Sequence, residues 1–249
     1  MYIDDIGIVQ QVVRYDDSSS VVHLFTRSHG RASFMVSRPR SRNSALTALA
    51  PLLSPLNVLS FQWNYRRADY LSRMKDAHAL YVWRDIPVNP IKTAVVLMLG
   101  EFLVHSLREE TADVELFDYI NASLQWYDAA TDDYANFHLV FLLKVLRFLG
   151  VAPDRDSLRE VYLRRPHASI FNTTHWNGVI PPFEAGWDGE DCIACLLRLQ
   201  ESDYGTMSAF SFSRYDRAYL LEFMEYYYMS HVPGFPLLKS PSVLFSLFG

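Results

Sequence analysis

At Ile86-Pro87-Val88-Asn89-Pro90 the apolar residues change their period, and that change limits the possible folds more than any other feature of the chain. Upstream lie short segments rich in Val, Phe, Tyr and Trp: IGIVQQVVRY, VVHLFTR, RASFMVS, LNVLSFQWNY and ADYLSRMKDAHALYVW. Asp16-Asp17-Ser18, His29-Gly30, Pro51 to Pro55 and Arg66-Arg67 separate them as turns. Such segments read as β-strands. Five strands with no helical period between them predict a small closed or half-closed barrel, which removes sheet edges, and the five-stranded version is the oligonucleotide/oligosaccharide-binding (OB) fold. Downstream, Asn89 is placed to cap a helix with Pro90 at its first position, and Val95, Leu99, Phe102, Leu103 and Leu107 then recur at helical spacing. Further helices are expected over DVELFDYINASLQWYDAA, over TDDYANFHLVFLLKVLRFLG ending at Gly150, and over GEDCIACLLRLQ. Two more are expected over RYDRAYLLEFMEYYYMSH behind a Ser213/Asp216 capping box, and after Ser240-Pro241 over VLFSLF. The expected fold class is therefore α+β and multi-domain: an N-terminal five-stranded OB-fold β-barrel over residues 1–83, then an all-helical domain over 84–249. Residues 167–186, rich in Pro, Gly, Asn and Trp, read as an irregular excursion packed on the helices by Trp176, Phe183 and Trp187. There is no internal repeat.

Charge follows the same boundary. Residues 1–83 carry a balance of +4 and residues 84–249 one of −9, within a net charge of −5. Segregation of this kind points to a polyanion-binding part joined to something else. The positive charge concentrates in RSHGRASFMVSRPRSR, where Arg27, Arg31, Arg38, Arg40 and Arg42 occur with no carboxylate among them. Its first part reads as a turn at Ser28-His29-Gly30 between two strands, and its last part, SRPRSRNS, as a loop that exposes guanidinium groups. Guanidinium forks suit phosphate oxygens. Arg27, His29, Arg31, Arg38, Arg40 and Arg42 are thus the expected phosphate-binding residues, joined by Arg66 and Arg67 if the barrel folds them alongside. Among the nearby aromatics Phe34, Phe61, Trp63 and Tyr65, which are either barrel core or platforms for bases, Phe34 and Tyr65 are the base-stacking candidates.

Other chemistry finds little footing. Cys192 and Cys195 have no second cysteine pair and lie inside an expected helix, which argues for structural thiols over zinc or redox work. Glu109, Glu110, Asp113, Glu115 and Asp118 span the end of one expected helix and the start of the next, where acids favour the N-terminal dipole, so a metal-dependent nuclease is disfavoured. With no phosphate loop, nucleophile elbow or Ser/His/Asp arrangement, the expectation is no enzyme, no catalytic residue, no metal and no cofactor. Phe223 to Met229 form a helix segment apolar on nearly every side, suited to burial or to receiving a short apolar peptide. Acids at Asp4-Asp5 occupy the place of a basic secretion-signal region, and Lys144 and Arg147 interrupt the longest apolar run. A cytoplasmic protein with no membrane partner is expected.

In order and spacing, GIVQQVVRYDDSSSVVHLFTRSHGRASFMVSRPRSR, ELFDYINASLQ, NFHLVFLLKVLRFLG and PGFPLLKSPSVLFSLF resemble the RecO family of DNA repair and recombination mediators, in its Bacteroidetes form. The likeness is strongest at Thr26 to Arg31, Leu146 to Gly150 and Leu238-Lys239-Ser240. It implies an OB fold followed by a helical domain. It also implies binding of single- and double-stranded DNA, strand annealing, engagement of the acidic C-terminal tail of SSB, and action with RecR to load RecA. DNA contacts would fall on the arginines of the basic stretch. The four-cysteine zinc module of many relatives is absent, because VAPDRDSLREVY follows Gly150 without a cysteine, and Pro39 with arginine alone replaces the usual glycine and lysine of the loop. An OB-fold scaffold for RNA or protein, without annealing activity, is the competing reading.

Overall fold

Five antiparallel strands form one sheet: β1 (Tyr2–Arg14), β2 (Ser19–Thr26), β3 (Gly30–Ser37), β4 (Val58–Asn64) and β5 (Lys75–Ala79), in the order β3-β2-β1-β4-β5. The computed structural model describes residues 2–17, 19–37, 50–64, 71–109, 111–164, 189–241 and 244. The two edges of the sheet meet at one point, where Phe34 on β3 and Ser72 ahead of β5 form a parallel bridge. There Met35 N–H donates to the Ser72 carbonyl at 2.8 Å, and Ser72 N–H to the Ser33 carbonyl at 3.3 Å. Among the described residues nothing else joins these edges in the strand pairing, so the OB barrel is half-closed.

Alternation along each strand decides what fills it. Val9, Val22, Leu24, Phe34, Val36, Leu59, Phe61 and Trp63 point inward and form the barrel core. Phe34 meets Phe61 and Trp63 edge to face, with ring centroids 5.2 and 5.3 Å apart.

Six helices follow: α1 (Pro90–Ser106), α2 (Val114–Ala129), α3 (Phe137–Phe148), α4 (Arg155–Arg164), α5 (Gly189–Glu201) and α6 (Arg214–His231). Packing gathers the chain into two compact units, Met1–Asp128 and Ala129–Gly249, so that the sheet, α1 and nearly all of α2 share the first. The Asn89 cap forms as expected, its side-chain oxygen accepting from Ile91 N at 3.1 Å and Lys92 N at 3.3 Å. At the other end of α1 the sheet supplies the cap. Pairing of β1 with β2 shifts register between Val9 and Gln11, and the extra residue, Gln10, donates from Nε2 to the Leu107 carbonyl at 3.1 Å. A bulge thus aims a buried amide at the carbonyl of the residue that ends α1.

The junction of β5 with α1 is held by a carboxylate. Asp128, buried at the end of α2, accepts backbone N–H groups of Arg84 (2.9 Å), Asp85 (2.9 Å) and Ile86 (2.9 Å). Next to it the fully buried Lys92 reaches Asp85 Oδ2 at 2.7 Å and donates to the Asp128 carbonyl at 3.2 Å.

In the second unit α3 is buried almost all round, through Phe137, Leu139, Val140, Phe141, Leu142, Leu143, Val145 and Leu146. It begins six residues after the expected Thr131, because Asp133 takes a left-handed φ of 55° and Asn136 donates its side chain to the carbonyls of Met207 and Phe210. It ends as expected at Gly150, whose φ is 73°, with Gly150 N–H on Arg147 O and Val151 N–H on Leu146 O. The capping box of α6 is complete: Asp216 N–H donates to Ser213 Oγ at 3.2 Å and Ser213 N–H to Asp216 Oδ2 at 2.8 Å. Most of α6 is buried, and the chain's own Phe235 and Leu238 lie on it, with Tyr228 against Phe235 at 5.1 Å and Leu238 N–H on Glu225 Oε1. The expected excursion at 167–186 lies outside the described residues.

Candidate nucleic-acid interface

The β2–β3 hairpin carries the basic stretch, and its turn is built from local hydrogen bonds. Thr26 Oγ1 donates to the Gly30 carbonyl at 2.9 Å and accepts from His29 N–H at 3.1 Å, while Arg27 N–H donates to the Ile6 carbonyl at 2.9 Å. Gly30 sits at φ 68°, and a Cβ on it would lie 2.4 Å from the Thr111 carbonyl oxygen. Only glycine fits both the conformation and the space. Gly30→Ala is expected to cost at least about 1–2 kcal/mol from the left-handed backbone alone, before the overlap with Thr111 is relieved. A urea titration that leaves the midpoint of Gly30→Ala at the wild-type value would contradict this account of the turn.

Arg27 leaves the turn and forms a two-pronged pair with Asp118 of α2: Nε to Oδ1 at 2.7 Å and Nη2 to Oδ2 at 2.8 Å. These bonds hold the Asp118 carboxyl below its usual range. Arg27 is therefore joined to a carboxylate of the chain itself, with its side chain still 42% exposed. His29 is turned toward the barrel end. Its Nδ1 lies 2.8 Å from Ser28 Oγ and 3.4 Å from Asp5 Oδ2, and its ring meets Trp63 edge-on at 5.3 Å. Asp5 is buried and also accepts from Trp63 Nε1 at 3.2 Å and from Ile6 N–H at 2.9 Å, so one carboxylate ties the turn to the barrel floor.

Arg31, second in β3, lies on the outer face, since Ala32, Phe34 and Val36 take the inner one. Its backbone N–H donates to the Glu109 carbonyl at 2.9 Å, and its half-buried side chain stands among groups that the sequence reading did not select. His23 on β2 is the cross-strand partner of Ser33, with Nδ1 2.8 Å from Ser33 Oγ. His105, at the end of α1, has Nδ1 3.2 Å from Arg108 Nη2. Burial and then Arg31 lower the pKa of His23; burial, then Arg108 and Arg31, lower that of His105, with Glu101 acting the other way. The signal for His23 was present in the sequence, because a histidine between Val22 and Leu24 in a strand must face away from them.

One of the expected site assignments changes. Phe34 is not a stacking platform: it is 0% exposed, with Phe61 and Trp63 against its ring in the core. Phe61 and Trp63 are core for the same reason. Arg38, Arg40, Arg42, Tyr65, Arg66 and Arg67 lie outside the described residues. Among the acids, Asp113 caps α2 by accepting from Leu116 N–H at 2.9 Å. Cys192 is buried, and burial pushes the Cys195 thiol up to about 11, which suits neither metal binding nor nucleophilic attack. Among the described residues no group of three or more His, Cys, Asp or Glu is disposed to hold a metal ion, and no helix is long and apolar enough to cross a membrane.

Comparison with known families defines a class of protein first. The family model described as Recombination protein O N terminal matches residues 1–83, and that described as Recombination protein O C terminal matches residues 87–241, which makes this a DNA repair recombination protein with an OB-fold N-terminal domain. The chain belongs to the RecO family. It is 39% identical over 245 residues to the DNA repair protein RecO of Phocaeicola vulgatus, covering 98% of each chain. Identity to the DNA repair protein RecO of Bacteroides fragilis is 37% over 243 residues, with 98% of each chain covered. To that of Porphyromonas gingivalis it is 33% over 253 residues, with 100% of each covered.

Proposed function

We propose that this protein is a non-catalytic recombination mediator of the cytoplasm, which binds single- and double-stranded DNA and anneals complementary strands. With RecR it would help load RecA onto DNA coated by SSB, whose C-terminal tail it would engage. The observation that carries this reading is the likeness to RecO relatives along both the barrel and the helical part, over 98% of the chain. Residues 1–83 would form the DNA-holding domain and residues 84–249 the part that meets proteins. The charge balance of +4 and −9 supports that split, because a basic segment concentrates polyanions and an acidic one does not.

DNA would be held by its backbone through Arg31, Arg38, Arg40 and Arg42, joined by Arg66 and Arg67, with Arg27 and His29 shaping the hairpin. Contacts of this kind carry little sequence preference. If four to five phosphates are neutralised, log affinity for single strands is expected to fall with log salt at a slope of about −3. Arg38→Glu, Arg40→Glu and Arg42→Glu combined are expected to abolish annealing while the circular dichroism of the helices is kept. Annealing that survives the triple change removes the loop from the mechanism. A strong preference for RNA over DNA of equal length would favour the RNA-binding alternative instead.

A further inference from the structure

We propose that Asp118 occupies a phosphate site of its own chain: on DNA binding the Arg27 guanidinium exchanges this carboxylate for a backbone phosphate, so that Asp118 sets how tightly the β2–β3 hairpin holds DNA. This rests on the DNA-binding reading above and gives Arg27 a contact beyond its part in the turn.

The shape of the pair comes first. Arg27 Nε and Nη2 donate side by side to Oδ1 and Oδ2 of Asp118, at 2.7 and 2.8 Å. A guanidinium fork that fits two carboxylate oxygens also fits two oxygens of a phosphodiester. The Asp118 carboxylate therefore marks where a phosphate would sit on Arg27. Among the described residues no other side chain is bonded to that guanidinium. Solvent reaches the pair, with 42% of the Arg27 side chain and 51% of the Asp118 side chain exposed, so an anion can approach without any unfolding.

The turn keeps its shape by other means. Its backbone is fixed by Arg27 N–H on the Ile6 carbonyl, by Thr26 Oγ1 between the Gly30 carbonyl and His29 N–H, and by Arg31 N–H on the Glu109 carbonyl. Two carboxylates near the turn thus differ in kind. Asp5 is buried and bonded to Ile6, His29 and Trp63, which is a structural tie. Asp118 is half-exposed, leaves the capping of α2 to Asp113, and among the described residues its carboxylate serves Arg27 alone. An exposed ion pair of this sort is weak. A DNA strand already held by other arginines presents its next phosphate at high effective concentration, which is enough to displace such a partner. The exchange is also nearly neutral in salt, because the freed Asp118 takes up a cation in place of the one that the phosphate releases.

The test uses the full-length protein and fluorescein-labelled oligothymidylate, with anisotropy read over a series of salt concentrations. Asp118→Asn is expected to bind about two- to fivefold more tightly than wild type at low salt, since no pair has to be broken first. Its plot of log affinity against log salt should be steeper by about 0.7, the share of one further phosphate. The Arg27→Gln/Asp118→Asn double variant should return to the wild-type slope. Glu115→Gln removes the same charge from the exposed first turn of α2 without touching Arg27, and should leave the slope unchanged. A gain in Glu115→Gln equal to that in Asp118→Asn would reduce the effect to net charge and overturn the proposal. So would an Asp118→Asn variant that binds no better than wild type, or one whose urea midpoint drops well below wild type, which would make the pair part of the fold. In the wild-type protein the Arg27 Nε–H signal in NMR, assigned by its loss in Arg27→Gln, must move when oligothymidylate is added; a signal that stays overturns the exchange. All these results leave DNA binding itself intact. Failure of wild type and Asp118→Asn alike to bind oligothymidylate would overturn the parent reading, and this proposal with it.

Discussion

Replacing Asp128 by alanine is expected to destabilise the first unit by about 3–5 kcal/mol, a large share of the roughly 5–15 kcal/mol that holds an ordinary domain folded. Three consecutive backbone N–H groups, of Arg84, Asp85 and Ile86, converge on this one carboxylate. Hydrogen bonds to a charged group contribute about 1.5–3 kcal/mol each, and rehydration of the half-exposed Arg84 and Asp85 returns part of the loss. The Ile86 N–H is buried and has no such recourse. Lys92 compounds the effect, because its fully buried ammonium is held by Asp85 and by the Asp128 carbonyl, and both move when the loop loosens. Asp128→Asn keeps one acceptor oxygen for Asp85 and Ile86, so it should fall well short of the alanine loss. Urea titrations of the two variants check this. Equal losses would mean that the side chain fills space and that its charge is not the clamp.

Acid should unfold the second unit earlier than its carboxylates alone would dictate. His138 lies in the first turn of α3, and burial, with Arg217 nearby, pushes its imidazole down to about 3. The helix dipole at that end disfavours a cation as well. In the unfolded chain the same group titrates near its ordinary value of about 6.5, so between about 6.5 and 3 the unfolded state holds the extra proton. Stability contributed by the neutral imidazole is therefore full above about 6.5 and is lost as pH falls, at up to about 1.4 kcal/mol per pH unit. His138→Asn should flatten this slope by one proton between about pH 6.5 and 4, before carboxylates such as Asp154 and Asp203 begin to contribute. The measurement is the urea midpoint against pH for both proteins. Parallel curves would show that His138 is charged in the fold.

Features fixed by near neighbours were legible in the sequence. Asn89-Pro90, Gly150 and the Ser213/Asp216 pair each state a helix end within four residues, and each forms as read. α4 escaped because only Leu158 and Val161 on it are buried, too few for an apolar period, although Asp154 and Ser157 exchange hydrogen bonds ahead of it. Which helices pack with the sheet was not legible, since an apolar stripe does not name its partner. The Arg27–Asp118 pair spans 91 residues and left no local trace. Phe34 was avoidable: Arg31 and Phe34 are three apart in one strand, and a period of two puts them on opposite faces, so one ligand could not have met both.

The supernumerary residue in β1 makes the length of that strand as consequential as its composition. Between the Val9–Leu24 and Gln11–His23 pairs β1 carries one residue more than β2, and that residue is the one whose side chain reaches the helix. Deleting Gln10 would leave a regular ladder with Gln11 to Arg14 on the same partners, and would withdraw the amide that closes α1. Lineages of this protein should accordingly keep both the extra residue and an amide side chain on it, while the exposed end of the strand beyond it varies.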